Sequence, residues 1–157
     1  LTPKVIQCDI RGANGLAFSP DGKWMYTSDT PQEVIYRTPL DEQGEPGKRE
    51  VFRTFKKQEG QPDGAATDIE GCYWSALYDG WRIARFSPEG EQLEEYRLPV
   101  RCPTMVCFGG EDMKTLFITT TRENMKQDEL AKFPLSGAIF TLPVSVAGVK
   151  KSPFIER

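Results

Sequence analysis

Two residues in this sequence combine a metal-binding type of side chain with a turn-forming neighbour. Asp63 lies in the triplet Pro62-Asp63-Gly64, and Asn14 precedes Gly15. A carboxylate and an amide carbonyl are hard oxygen ligands for divalent cations, and a carboxylate can also take a proton from water. The glycine after each residue permits a sharp turn and a close approach of the backbone. The pair therefore indicates oxygen-ligand metal chemistry, provided that the fold brings the two side chains together.

The absence of histidine from the sequence excludes several kinds of site. Ser-His-Asp and Cys-His catalysis cannot arise from this chain alone, and neither can histidine-based zinc or non-haem iron centres. The four cysteines form no Cys-x-x-Cys pair: Cys8, Cys72, Cys102 and Cys107. We expect reduced, mostly buried thiols in a cytoplasmic protein rather than a zinc site. A metal held by this chain must have oxygen ligands, which favours Ca²⁺, Mg²⁺ or Mn²⁺.

Size and charge restrict the fold and the partners. The chain has 157 residues, 38% hydrophobic and 27% charged, which is enough for one core and too few for two ordinary domains. The formal net charge is −3, and no cluster of Lys and Arg suggests a nucleic-acid partner. No apolar run approaches the roughly 18 residues that a membrane-spanning helix needs. We therefore expect neither nucleic acid nor a membrane as a partner.

Short apolar runs, interrupted every several residues by proline or glycine, favour many antiparallel strands. The strands predicted for a first unit are 14–19, 24–28, 33–37 and 50–55, and those for a second are 65–69, 73–76, 82–86 and 93–98. A third unit is predicted at 105–108, 115–119 and 137–142, with a short helix at 127–132 in a polar insertion. Residues 5–8 could form the outer strand of an earlier unit.

Alignment of Asn14, Asp63 and Thr104 reveals repeats of 49 residues, from Asn14 to Asp63, and 41 residues, from Asp63 to Thr104. The alignment superimposes an aromatic residue of each second strand: Tyr26, Trp74 and Phe117. Four strands per repeat of about 40 to 50 residues indicate β-propeller blades, because one four-stranded sheet cannot bury both of its faces alone. We predict an all-β fold of three four-stranded blades, at about 14–60, 61–101 and 102–157, with residues 1–13 as the tail of a preceding blade.

Three blades do not close a propeller, which needs about four to eight. The chain begins with Leu1 rather than Met, and we expect it to be trimmed from a larger protein. Its expected partner is then the missing N-terminal half or a second copy of the chain. The starts of inner strands converge on a propeller axis, so the side chains of Asn14 and Asp63 are expected to reach one point.

Several motifs, in order and with similar spacing over essentially the whole chain, resemble the senescence marker protein (regucalcin), gluconolactonase and luciferin-regenerating enzyme family. They are NGLAFSPDG at 14–22, PDG at 62–64, LPV at 98–100, PT at 103–104, CFGG at 107–110, TTTR at 119–122, LAK at 130–132 and GAIF at 137–140. The one clear departure is Gly64-Ala65-Ala66-Thr67, where the family has bulkier apolar residues. That difference affects the packing of the inner strand more than the chemistry.

The resemblance implies a six-bladed propeller of which this chain is the C-terminal half. Many members hydrolyse sugar lactones and hold one divalent cation at the top of the central channel, through a Glu from the first blade, an Asn and an Asp. It implies Asn14 and Asp63 as metal ligands and Asp63 as the general base, with the Glu outside this chain. The ion would be Ca²⁺ or Zn²⁺, with Mn²⁺ or Mg²⁺ as alternatives.

The expected function is metal-dependent hydrolysis of a sugar lactone to an aldonic acid, which makes the protein a carboxylic-ester hydrolase. The alternatives are a non-catalytic calcium-binding or regulatory propeller, and a half-propeller that dimerises into six blades. No substrate-binding residue is identified. Tyr78 and Trp81 could stack on a sugar or pack the rim, and Arg122 could touch a carboxylate product. Three other acidic residues are expected in turns or at strand ends: Asp21, Asp29 and Asp68.

Overall fold

Hairpins built on short apolar runs and Pro-Gly turns make up the fold, as three antiparallel sheets in a computed structural model that describes residues 2–150. The first sheet contains β1 (Ala13–Phe18), β2 (Trp24–Asp29), β3 (Val34–Pro39) and β4 (Glu50–Thr54). The second contains β5 (Gln61–Thr67), β6 (Tyr73–Tyr78), β7 (Arg82–Phe86) and β8 (Gln92–Arg97). The third contains β9 (Pro103–Gly109), β10 (Thr115–Thr120) and β11 (Ile139–Pro143).

Helical structure is confined to short connections within the described range. The helix α1 (Gln127–Lys132) lies between β10 and β11, where the sequence predicts it, and 3₁₀ turns span Thr30–Gln32 and Lys57–Glu59. No helix formed by residues 2–150 is long and apolar enough to cross a membrane. The all-β prediction is thus confirmed.

The second sheet is buried on both faces because it lies between the other two. Side chains alternate along a strand, so Tyr73 and Leu77 of β6 face one way and Trp74 the other. Tyr73 and Leu77 join a core with residues of the first sheet such as Tyr26. Trp74 joins a second core with Val106, Leu116 and Ile118 of the third sheet. The two cores stack the sheets in chain order, which brings their inner strands β1, β5 and β9 side by side.

The N-terminal segment covers the first sheet instead of extending it. Residues 5–8, predicted as a possible outer strand, form no strand in the structure. The side-chain amide of Gln7 accepts a hydrogen bond from Thr27 and donates one to Thr38, at 3.2 and 2.8 Å. Asp29 accepts bonds from the N–H groups of Arg11 and Gly12. These contacts hold the segment against the sheet by side chains, so its backbone does not pair with an edge strand.

The third sheet has three strands within residues 2–150, one fewer than the four predicted for each unit. The chain leaves β11 at Pro143 and crosses to the second sheet. The N–H of Val149 donates to the carbonyl of Thr67, and Ala147 accepts a bond from Ile69. Val144 and Val146 are buried in the core between the second and third sheets. The segment after β11 is therefore held against the end of β5.

The cysteines are all free thiols, but only Cys72 and Cys102 are buried. Cys8 and Cys107 are exposed, so the prediction of mostly buried thiols holds for half of them. Cys107 is exposed because it lies on the open inner strand β9, where alternate side chains face away from the core.

A buried ion-pair network fixes the end of β5. Asp68 is fully buried, and one of its carboxylate oxygens accepts 2.8 Å bonds from the Trp74 indole and the Arg85 guanidinium. The other oxygen accepts the backbone N–H of Glu70 and of Cys72. Arg85 is also paired with Glu70 and Glu94. Asp68 lies just after a strand as the sequence predicts, but its burial makes it a structural anchor.

Asp68→Asn is expected to lower the free energy of unfolding by about 2 kcal/mol, because the amide keeps the shape but removes a buried charge and leaves polar partners mismatched. Denaturant titration would measure the change. Glu70→Gln removes an exposed carboxylate from the same arginine and should cost less than about 1 kcal/mol. Equal effects of the two substitutions would contradict the assigned importance of burial.

Candidate functional site

Each inner strand contains a one-residue bulge. In the first sheet the register shifts between Asn14 and Ala17, and in the second between Pro62 and Ala65. In the third it shifts where Pro103 pairs with Thr120 and Met105 with Thr119. Bulges bend a strand and redirect its side chains. Asp63 and Thr104 lie within their bulges, and Asn14 is the last paired residue before its own; these three are the rim residues.

Two glycines allow the inner strands to approach each other at the rim. Gly15 has φ of 59°, and a Cβ there would lie 2.6 Å from the Ser28 hydroxyl oxygen and 3.0 Å from the Asp63 carbonyl oxygen. A Cβ on Gly64 would lie 2.6 Å from the Thr104 carbonyl oxygen. Any larger residue would push the strands apart, so the glycines after Asn14 and Asp63 are required by packing.

The side chains of Asn14 and Asp63 meet, although 49 residues separate them. The Asn14 Nδ2 donates a hydrogen bond to the Asp63 Oδ1. The Asn14 Oδ1 accepts a bond from the N–H of Gly15 at 3.1 Å. Asn14 is exposed and Asp63 is half-buried, so the pair lies at an open end of the sheets. The structure thus brings together the two residues that the sequence singles out.

The environment of Asp63 disfavours its charge. Burial raises the pKa of Asp63 to about 6, and the hydrogen bond from Asn14 opposes that rise. No Lys or Arg contributes to the shift. Asp63 is therefore mostly ionised at pH 7, and its pKa lies close to that pH, which suits a general base.

Three hydroxyl groups hold the rim backbone in place. Ser28 donates to the carbonyl of Asp63 at 3.2 Å, and Thr30 donates to the carbonyl of Pro62 at 2.8 Å. In the opposite direction, Tyr73 of the second sheet donates to the carbonyl of Gly15 at 2.8 Å. These residues are not predicted from the sequence, because strand-end hydroxyls and a core tyrosine carry no distinctive signal.

Tyr73→Phe is expected to reduce the free energy of unfolding by about 1 to 2 kcal/mol, because it leaves the buried Gly15 carbonyl without its donor. Chemical denaturation would measure the loss. Tyr36→Phe is the matched control, since that ring stacks under Arg49 and its hydroxyl has no partner in the described part of the chain. No loss for Tyr73→Phe beyond that of the control would contradict the role of this hydrogen bond.

A cavity of about 600 Å³ opens directly beside the rim, between the three inner strands. Its wall contains the residues that follow the rim residues, including Leu16, Ala65 and Met105. Phe18 and Phe108 extend the apolar wall. The small side chains of Ala65 and Ala66 leave room in this part of the cavity. The arrangement is a polar rim over an apolar chamber, which is common in small-molecule sites.

Other residues singled out by the sequence do not join the rim pair. Trp81 packs edge-to-face on Phe133, with ring centroids 4.7 Å apart, and so ties the β10–β11 insertion to the β6–β7 turn. Arg122 is exposed and its side chain covers Gly137. Asp21 accepts bonds from Ser19 and from the N–H of Lys23, as expected for a turn residue.

The donor set at the rim is suited to a cation but is incomplete. Asn14 and Asp63 offer amide and carboxylate oxygens, which hard divalent cations prefer. No group of three or more His, Cys, Asp or Glu side chains with metal-binding geometry occurs in residues 2–150. The Asn14 amide presents its nitrogen to Asp63. A shared cation would require the amide to turn and present its oxygen instead.

Comparison with known proteins agrees with these observations. Residues 2–122 match the model of the SMP-30/Gluconolactonase/LRE-like region. The chain is 54% identical over 152 residues to 6-deoxy-6-sulfogluconolactonase of Pseudomonas putida, covering 96% of this chain and 52% of that protein.

Two solved structures show the same similarity in three dimensions. A calcium-binding protein, regucalcin, from Agrobacterium tumefaciens superimposes with a TM-score of 0.87 and 34% identity, covering 91% of this chain and 49% of that one. A gluconolactonase from Xanthomonas campestris gives a TM-score of 0.67 and 27% identity, covering 88% and 40%.

The chain spans about half the length of these relatives. The family match nevertheless covers most of the chain. The contact between Asn14 and Asp63 also brings together two of the motifs that resemble this family. The chain therefore belongs to the SMP-30/gluconolactonase/LRE-like family.

Proposed function

We propose that the protein hydrolyses a sugar lactone to an aldonic acid in a metal-dependent reaction, and that this chain supplies Asn14 and Asp63 to the metal site. The observation that carries the proposal is the contact of these two side chains beside the bulges of adjacent inner strands. Relatives named as lactonases support the reaction class, and a relative described as a calcium-binding protein supports a divalent cation. Ca²⁺ or Zn²⁺ is proposed as the ion.

Asp63 is proposed as the general base. As a carboxylate it takes a proton from a water molecule, whose oxygen forms a bond to the lactone carbonyl carbon. The ring C–O bond then breaks, and the ring oxygen leaves as the hydroxyl of the open acid after gaining a proton. A bound cation would polarise the lactone carbonyl and lower the pKa of water. The Asn14 amide nitrogen holds the Asp63 carboxylate in position, and the amide would offer its oxygen to a cation after turning.

The rest of the site is proposed to lie outside this chain. Two protein oxygens are few for a divalent cation, which takes about four to eight ligands. We propose that these three sheets are consecutive blades of a six-bladed propeller. Its remaining blades and a further carboxylate ligand come from the missing N-terminal half, and a second copy of the chain is the alternative source. The isolated chain should therefore have little lactonase activity.

The proposal is tested with the full-length protein encoded by the gene, stripped of metal with a chelator and then supplied with Ca²⁺, Zn²⁺, Mn²⁺ or Mg²⁺. Hydrolysis of gluconolactone, 6-deoxy-6-sulfogluconolactone and other aldonolactones is followed by acid release. Metal-dependent turnover of at least one sugar lactone is expected. Cation binding without turnover of any of them would favour the non-catalytic calcium-binding alternative.

A further inference from the structure

The third sheet has a polar residue at the rim position that Asn14 and Asp63 occupy in the first two. Thr104 is the one unpaired residue between the Pro103–Thr120 and Met105–Thr119 pairs. Its carbonyl oxygen lies 2.6 Å from a Cβ built on Gly64, just as the Asp63 carbonyl lies 3.0 Å from a Cβ built on Gly15. The step from β5 to β9 therefore repeats the step from β1 to β5, and Thr104 is the next rim residue after Asp63.

The Thr104 hydroxyl is paired only with another hydroxyl. Its Oγ1 lies 2.8 Å from the Oγ1 of Thr119 on β10. The neighbouring hydroxyl of Thr120 is already used, since it donates to the carbonyl of Ala138 and accepts the N–H of Gly137. Within residues 2–150, the Thr104 and Thr119 hydroxyls make no other hydrogen bond.

This pair keeps both donating and accepting capacity. Each threonine hydroxyl has one proton and two lone pairs, so the bond between them leaves one proton and three lone pairs. A sugar hydroxyl also donates and accepts, so it can accept the free proton of the pair and donate its own proton to a free lone pair. Thr104 is half-buried and directly precedes Met105, which lines the apolar chamber, whereas Thr119 is exposed.

We propose that Thr104, together with Thr119, is a specificity-determining contact for a ring hydroxyl of the sugar lactone. This assignment rests on the proposed function, because it places the reacting carbonyl at Asp63 and the ring across the rim towards β9. Thr104 takes no part in proton transfer. Its contribution is to substrate binding and to discrimination against lactones that lack hydroxyl groups.

The test compares two substrates of the full-length, metal-loaded protein: glucono-1,5-lactone and δ-valerolactone, which has the same ring without hydroxyls. Thr104→Val keeps the side-chain shape and removes the hydroxyl. It should raise KM for gluconolactone about fivefold to tenfold, the cost of one hydrogen bond, with kcat changed less than about twofold. The kcat/KM for δ-valerolactone should not change. Thr104→Ser should restore most of the loss, and Thr115→Val, at the far end of β10, is the matched control.

The outcomes separate the two proposals. An equal loss on both lactones, or no loss on either, with wild-type activity intact, would overturn the assignment of Thr104 alone. A wild-type protein that hydrolyses none of the aldonolactones tested for the proposed function would overturn that function and this assignment with it. Melting temperatures of the variants guard against a general effect on folding, and failure of Thr104→Ser to restore KM also counts against the hydroxyl contact.

Discussion

Asp63→Asn in the full-length protein is expected to lower kcat/KM for a sugar lactone by about a thousandfold or more. The amide cannot take a proton from water and is a weaker ligand for a divalent cation, so one substitution removes the base and weakens the metal site. Steady-state hydrolysis of gluconolactone at saturating cation would measure the loss. Glu111→Gln, which removes an exposed carboxylate on the β9–β10 turn, is the matched control and should retain activity.

The same substitution should stabilise the metal-free protein at pH 8. Burial raises the pKa of Asp63 to about 6, above its value in the unfolded chain. At pH 8 the ionised side chain is therefore less stable in the native state than in the unfolded state. The stability that native Asp63 gains as a neutral acid is fully present below about pH 4 and is lost as the pH rises through about 6. The melting temperature of Asp63→Asn should therefore exceed that of the wild type at pH 8, and the difference should shrink by pH 4. A difference that is the same at both pH values would contradict the burial of this charge.

Gly15→Ala is expected to have the largest effect on folding, lowering the free energy of unfolding by at least about 3 kcal/mol. The new methyl group would meet the Ser28 and Tyr73 hydroxyls and the Asp63 backbone, and the residue would keep a left-handed φ of 59°. Equilibrium denaturation would measure the change. Because the contact joins the first two sheets, the rim would be displaced with the fold.

Gly22→Ala isolates the backbone part of that effect. Gly22 has φ of 71°, but a Cβ there meets no atom within 4 Å. Its replacement should cost about 1 kcal/mol from strain alone. Similar costs for Gly15→Ala and Gly22→Ala would show that the sheets do not approach as closely at the rim as described.

The sequence predicts the strands well because turn chemistry and side-chain alternation are local. Ser19-Pro20-Asp21-Gly22 produces the β1–β2 hairpin, and the bounds of β7 and α1 agree with prediction to the residue. The repeat alignment is also supported, since the Asp63 carbonyl lies against Gly15 and the Thr104 carbonyl lies against Gly64 in the same way. The meeting of Asn14 with Asp63 follows from that alignment.

What the sequence does not reveal depends on distant contacts. In the sequence, Asp68 resembles any turn aspartate, and its buried role depends on its contacts with Trp74 and Arg85. The attachment of residues 147–149 to the end of β5 is another contact that no local pattern encodes. The pKa of Asp63 likewise arises from burial by the neighbouring sheets.

The most direct test of the central claim is the rate of gluconolactone hydrolysis by metal-stripped, full-length protein as a function of added divalent cation. The wild type should recover its activity at about one cation per protein, while Asn14→Ala should require more cation and Asp63→Asn should not recover. Wild-type hydrolysis that is equally fast with and without cation, or full recovery by Asp63→Asn, would contradict a shared metal site at these two residues.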